Sequence, residues 1–144
     1  MMSYRPEAEL TQPVLRYFQK KGFHWQATEL QFYEYSIDIY GFSKSADKTV
    51  SVELKIKDWK RAFEQTLIYQ LCSDLVIMAI PKETIHRVER AILQREGIGL
   101  LCVWPNNRCR IILQPRPSHV LSDSYKRRNI NILQENKERT NGHC

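Results

Sequence analysis

Residues 37–57, IDIYGFSKSADKTVSVELKIK, decide how the rest of this 144-residue chain is read. Ile37 and Ile39, then Val50, Val52, Leu54 and Ile56, alternate with polar or aromatic positions on either side of a polar loop, the period-two pattern of two strands joined as a hairpin. Asp38 and Tyr40 then project from one face of the first strand, and Ser51, Glu53, Lys55 and Lys57 from one face of the second. A hairpin centred between Ser45 and Ala46 pairs residues whose numbers sum to 91, which sets Asp38 opposite Glu53 with Lys55 one step along the same face.

Two carboxylates held this close repel, and one takes up a proton unless a cation lies between them. A divalent metal is such a cation: Mg2+ keeps several waters and binds through one or two carboxylates plus substrate phosphate. It would polarise a phosphoryl oxygen and lower the pKa of a bound water, while Lys55 orients that water or offsets developing charge. The chemistry implied is phosphodiester hydrolysis. Spacing alone leaves a second reading open, in which the three residues form an exposed ion pair worth about 0–1 kcal/mol.

Outward from the hairpin, residues 5–21 have a helical period through Leu10, Val14, Tyr17 and Phe18, with Gly22 placed to end the helix. Pro13 leaves two choices, a kinked helix or one that begins near Thr11. Residues 23–34 complete three consecutive strands with 35–42 and 49–56. A helix follows from Asp58, an expected N-cap, to Leu71. DLVIMAIP has the continuous apolar character of a strand buried on both faces. Residues 82–95 read as one amphipathic helix through Ile85, Val88, Ala91 and Ile92, closed by Gly97, and GIGLLCVW and CRIIL as two strands joined at PNN. The expected class is α/β of the α+β type, a mixed central sheet flanked by helices.

The chain resembles the PD-(D/E)xK nuclease superfamily at this point. The likeness runs through Ile37, Asp38 and Gly41, then Glu53, Leu54 and Lys55, with Ile37 where proline is common. It continues through Ala62, Gln65 and Tyr69, similar to an A-x-x-Q-x-x-x-Y pattern, and through DLVIMAIPKE. The resemblance implies a restriction-endonuclease-like αβββαβ core and a Mg2+-dependent DNA endonuclease, with Mn2+ able to substitute. Asp38 and Glu53 would hold the metal and Lys55 would serve catalysis. Gln65, on one helix face with Ala62 and Tyr69, would position water or phosphate. Relatives place a glutamate of the first helix near the metal; Glu7 falls on the face of Leu10, Val14 and Phe18 and is preferred to Glu9, which points nearly opposite. A homodimer is expected if both strands must be cut, since one site cleaves one strand at a time. The competing readings are a catalytically weak or inactive nucleic-acid-binding module on the same fold, and a structural or regulatory subunit.

Composition agrees with a nucleic-acid partner without requiring one. Lys and Arg outnumber Asp and Glu by 22 to 16, and the pI is near 9.2. Lys57, Lys60 and Arg61 beyond the hairpin, and Lys126, Arg127 and Arg128 near the C-terminus, are the candidate DNA contacts. The division expected is a nuclease-like domain over 1–113 and a basic, flexible tail over 114–144, in which six basic and three acidic residues accompany few core candidates. No long apolar run is present, so a cytoplasmic protein with no membrane association is expected. Neither the four cysteines (Cys72, Cys102, Cys109, Cys144) nor the histidines (His24, His86, His119, His143) have zinc-ligand spacing, and reduced thiols are expected. Trp25, Trp59 and Trp104 read as core or rim aromatics. Trp59, among Lys57, Lys60 and Arg61, is the one most open to a base-stacking role.

Overall fold

A computed structural model describes residues 5–141, with side chains through residue 137; Cys144 and His143, set aside above as metal ligands, lie outside them. The elements are α1 (Ala8–Lys20), β1 (Trp25–Phe32), β2 (Tyr35–Ser43), β3 (Lys48–Leu54), α2 (Trp59–Tyr69), β4 (Leu75–Pro81), α3 (Arg90–Glu96), β5 (Gly99–Val103), β6 (Cys109–Leu113) and α4 (Asp123–Asn141). Six strands form one mixed sheet in chain order, and the αβββαβ sequence of elements runs from α1 to β4. β1, β2 and β3 are antiparallel, β3, β4 and β5 parallel, and β6 returns antiparallel. This is the expected α/β class, a mixed sheet with helices on both faces.

Each face has its own core. Leu10, Val14 and Phe18 of α1 pack on Ile39, Val50, Val52, Leu54, Ile77 and Ala79. On the other face Ala62 and Tyr69 of α2, with Ile130 and Leu133 of α4, cover Tyr40, Val76, Met78 and Leu100. β4 lies between the two cores, which is why its sequence is apolar without alternation. Burying these side chains supplies roughly 1.5–3 kcal/mol each for the larger aliphatics.

Pro13 lies inside a single helix that starts at Ala8, rather than opening a shorter one; Pro13 is buried with Leu10 and Val14. Glu7 thereby stands at the N-cap position, and Gly22 turns the chain at φ +100.

Three expectations are corrected. The helix over 82–95 divides into a single 3-10 turn, Ile85–Arg87, and α3, because Val88 takes extended backbone (φ −77, ψ 129). Ile85 and Val88 are buried from the first piece and Leu93 from the second, whereas Ala91 is exposed. Asp58 occupies the N-cap position of α2 but in left-handed backbone (φ 56, ψ 46), with no side-chain cap bond. The flexible tail is also overturned. Ser118 and Ser122 donate backbone N–H bonds to Asp74 O and Leu71 O, and α4 then buries Lys126, Asn129, Ile130 and Leu133.

The α4 face escapes a hydropathy reading because a lysine belongs to it. Lys126 Nζ lies 2.9 Å from Asp74 Oδ2 and donates to Asp47 O at 2.8 Å, and Asp74 also accepts from Thr49 N and Oγ1. Its partners come from sequence positions far away, so local composition could not reveal them. Among the described residues no helix is long and apolar enough to cross a membrane.

Candidate active site

The hairpin adopts the register read from its sequence: Ile39 pairs with Val52, Tyr40 with Ser51, Gly41 with Val50 and Phe42 with Thr49. Beyond Ile39 the ladder stops. Asp38, next in the same register, accepts the Leu54 backbone N–H on Oδ2 at 2.8 Å, so its carboxylate takes the place of a strand partner.

A second irregularity aims Asp38. On β1, Trp25 and Ala27 pack against the same core as Leu30 and Phe32, although the two pairs differ in parity; on β2, Ile37 and Tyr40 do likewise. The alternation therefore inverts on both strands between the facing positions Glu29 and Asp38, where the ladder skips a pair and Glu29 takes left-handed backbone (φ 54). This corrects the reading of Ile37 and Ile39 as anchors on one face: Ile37 packs on the α2 side and Ile39 on the α1 side.

Glu53 is 6% exposed, on the face covered by α2. Tyr69, from the last turn of that helix, donates its hydroxyl hydrogen bond to Glu53 Oε1 at 3.3 Å, with Ser36 O at the same distance. The Asp38 and Glu53 carboxyl groups are near enough for each to perturb the ionisation of the other. Burial first, and then the adjacent Asp38 carboxylate, pushes Glu53 up to about 8. Burial also raises Asp38, against the Leu54 N–H that favours its anion. At neutral pH the pair holds a proton, and a cation of higher charge would displace it.

Lys55 follows β3 directly, its backbone tied to β4 by an N–H bond to Ala79 O. Its ammonium lies 3.7 Å from Glu7 Oε1 at the start of α1. The Glu7 carboxylate is near enough to raise Asp38 further, and Lys55 near enough to lower Glu53. Asp38 and Glu53 thus feel the Lys55–Glu7 ion pair electrostatically at the end of β3, while Glu9 is not among the groups that perturb them.

Gln65 is not brought into this group by any hydrogen bond. It lines a shallow cleft on α2 with Tyr35, Arg61, Glu64 and Ile68. The side chain of α2 that does reach the acids is Tyr69. Helical spacing placed Tyr69 one turn beyond Gln65, but only tertiary packing could show which of them touches Glu53. Glu29, which carries no motif signal in the sequence, faces Asp38 across the β1–β2 ladder, raises it electrostatically, and accepts from Ser36 Oγ at 2.9 Å.

The two basic groups part company. Lys57, Lys60 and Arg61 line an open cleft where the chain passes from β3 into α2, together with Asp58, Trp59 and Arg87. Lys126 is buried on Asp74, and Arg127 pairs with Asp47 and, within α4, with Asp123; Asp47 and Asp74 precede β3 and β4, at the opposite end of these strands from Glu53. Lys126 is therefore corrected from a DNA contact to an internal ion pair; Arg128 is exposed. Cys102 and Cys109 do not face each other, since Cys109 pairs with Val103 and Cys102 with Arg110.

Among the described residues no three His, Cys, Asp or Glu side chains converge as a ligand set. Mg2+ needs fewer, because one or two carboxylates plus water and phosphate suffice. Asp38 and Glu53 each give one oxygen to a protein donor, leaving Oδ1 and Oε2 outside those bonds. In number, hardness and shared negative charge the pair fits that ion.

No family model matches the sequence, and no curated protein does. Among solved structures, the chain is similar to the SPO1766 protein of unknown function from Silicibacter pomeroyi, at a TM-score of 0.73 and 17% identity, covering 96% of this chain and 90% of that one. At that identity the likeness concerns the fold alone.

Proposed function

We propose that this protein is a metal-dependent nuclease that hydrolyses DNA phosphodiesters with Mg2+, or Mn2+ in its place, and that it belongs to the PD-(D/E)xK group. The observation that carries the reading is the Asp38–Glu53 pair: two carboxyl groups that perturb one another, one of them buried and raised to about 8, with the Lys55–Glu7 ion pair within electrostatic range. A merely structural site gains nothing from such crowding, because removing one acid would relieve the repulsion.

In this reading Asp38 and Glu53 hold the metal, which when bound supplies charge for the phosphoryl oxygens and a water of lowered pKa. Tyr69 fixes the Glu53 carboxylate by its hydrogen bond, and Leu54 N–H fixes that of Asp38. Lys55 offsets charge at the phosphate, and Glu7 holds its ammonium in the site when substrate is absent. Because Glu53 would have to be ionised to hold the metal, metal affinity is expected to strengthen as pH rises towards 8.

The test is a cleavage screen over linear, nicked, flapped and junction DNA with Mg2+ or Mn2+. Wild-type protein is expected to cut at least one substrate, and Lys55→Ala and Glu53→Gln are each expected to lower the rate by at least about 100-fold. No cleavage of any substrate with either metal, or full activity in Glu53→Gln, sinks the reading.

A further inference from the structure

The cleft between β3 and α2 has a chemistry that the acids do not use. Its volume is about 620 Å³, and its lining is Lys57, Asp58, Trp59, Lys60, Arg61 and Arg87, four cations against one anion. Trp59 is partly buried, seated against the core cluster of the α2 face, and also forms part of the cleft wall. Lys60 Nζ lies 5.9 Å from its ring centre. A wall of this kind offers an indole and cations at its rim together, which suits an aromatic base joined to phosphates.

Its position matters as much as its lining. Lys57 is four residues beyond Glu53, at most about 14 Å along an extended chain. A strand stacked at roughly 3.4 Å per nucleotide covers that maximum in about four nucleotides. A strand whose phosphate lay at the acid pair would have the cleft within reach of its next few nucleotides.

We propose that this cleft binds an unpaired DNA strand next to the cleaved phosphate, with one base stacked on Trp59 and its phosphates held by the surrounding cations. The substrate class is then DNA with a single-stranded end or flap, not intact duplex. Cations alone hold either form, since both present phosphates. The indole separates them: bases in a duplex are already stacked on their neighbours, and only an unpaired base offers a free face. The choice of DNA as ligand and the cleaved phosphate beside it rest on the nuclease reading; the stacking on Trp59 does not.

Binding measured in chelator, where no cleavage occurs, keeps the two proposals apart. The probes are a fluorescein-labelled thymidine oligonucleotide and a labelled blunt-ended duplex of two fully complementary strands, followed by anisotropy with the full chain. Trp59→Leu, which keeps apolar volume against the core, is expected to weaken oligonucleotide binding by about tenfold and duplex binding by less than about twofold, and Trp59→Phe to retain most of the affinity. Equal losses on both probes, undiminished oligonucleotide binding in a folded Trp59→Leu protein, or no binding of the oligonucleotide by wild type overturns the proposal. Chelated protein that binds the oligonucleotide through Trp59, but cuts no DNA when metal is restored, supports the cleft and removes the nuclease reading instead.

Discussion

Asp38 and Asp74 occupy opposite ends of β3, and each accepts a backbone N–H from that strand at 2.8 Å, Asp38 from Leu54 and Asp74 from Thr49. Their neighbours differ in sign. Beside Asp74 is the Lys126 ammonium, 2.9 Å away, and beside Asp38 is another acid, Glu53. Burial works against ionisation of both. At Asp74, Lys126 and the two Thr49 donors outweigh it and hold the carboxyl below its usual range, whereas at Asp38 the single N–H does not. One end of the strand is electrostatically closed, and the other is left wanting a cation.

The largest expected effect breaks the closed end. Lys126→Met leaves Asp74 buried without its cation and should lower unfolding free energy by about 3–5 kcal/mol in urea titration, and replacing both residues by apolar ones should recover most of it. If the single substitution is neutral, the pair does not hold α4.

The pH dependence should have opposite sign at the two ends. Asp74 has a depressed native pKa, so its contribution is present above the unfolded value near 4 and is lost as pH falls below it. Glu53 is raised from 4.5 to about 8, so the native state binds the extra proton and stability declines as pH rises between those values, by at most about 1.4 kcal/mol per unit. Metal-free urea titrations should show this decline in wild type and a flatter profile in Glu53→Gln. Equal slopes in the two proteins would mean that Glu53 does not carry the proton.

The smallest effect sharpens the open end. Mg2+ at about 100 times its Kd should stabilise wild type by about 2.7 kcal/mol, in a thermal shift that Glu53→Gln loses and Lys126→Met keeps. A shift that survives in Glu53→Gln places the ion elsewhere.

The open end was legible in sequence because strand alternation is a short-range rule. Val50, Val52 and Leu54 fixed which way Glu53 points, and the loop length fixed the register that pairs Ile39 with Val52. Those same rules misplaced Ile37, since the inversion at Asp38 depends on the backbone of Glu29 in another strand. The closed end was invisible for a related reason. α4 buries Lys126 and Asn129 beside Ile130 and Leu133, so its inward face does not read as apolar, and the acid that makes Lys126 tolerable is fifty-two positions away in the sequence. Tyr69 lay within a noted pattern, but contact with Glu53 is a property of how α2 crosses the sheet.

The bond from Leu54 N–H to Asp38 has a practical consequence for anyone who tests this site by mutagenesis. An alanine at Asp38 removes a carboxyl group and also strands a backbone donor where the β2–β3 ladder ends, so lost activity in that variant would mix damaged chemistry with a loosened strand end. Asparagine keeps an oxygen acceptor of the same reach while discarding the charge. The informative knockout at this position is therefore the isosteric one, and the difference between the two variants measures how much of Asp38 belongs to the scaffold.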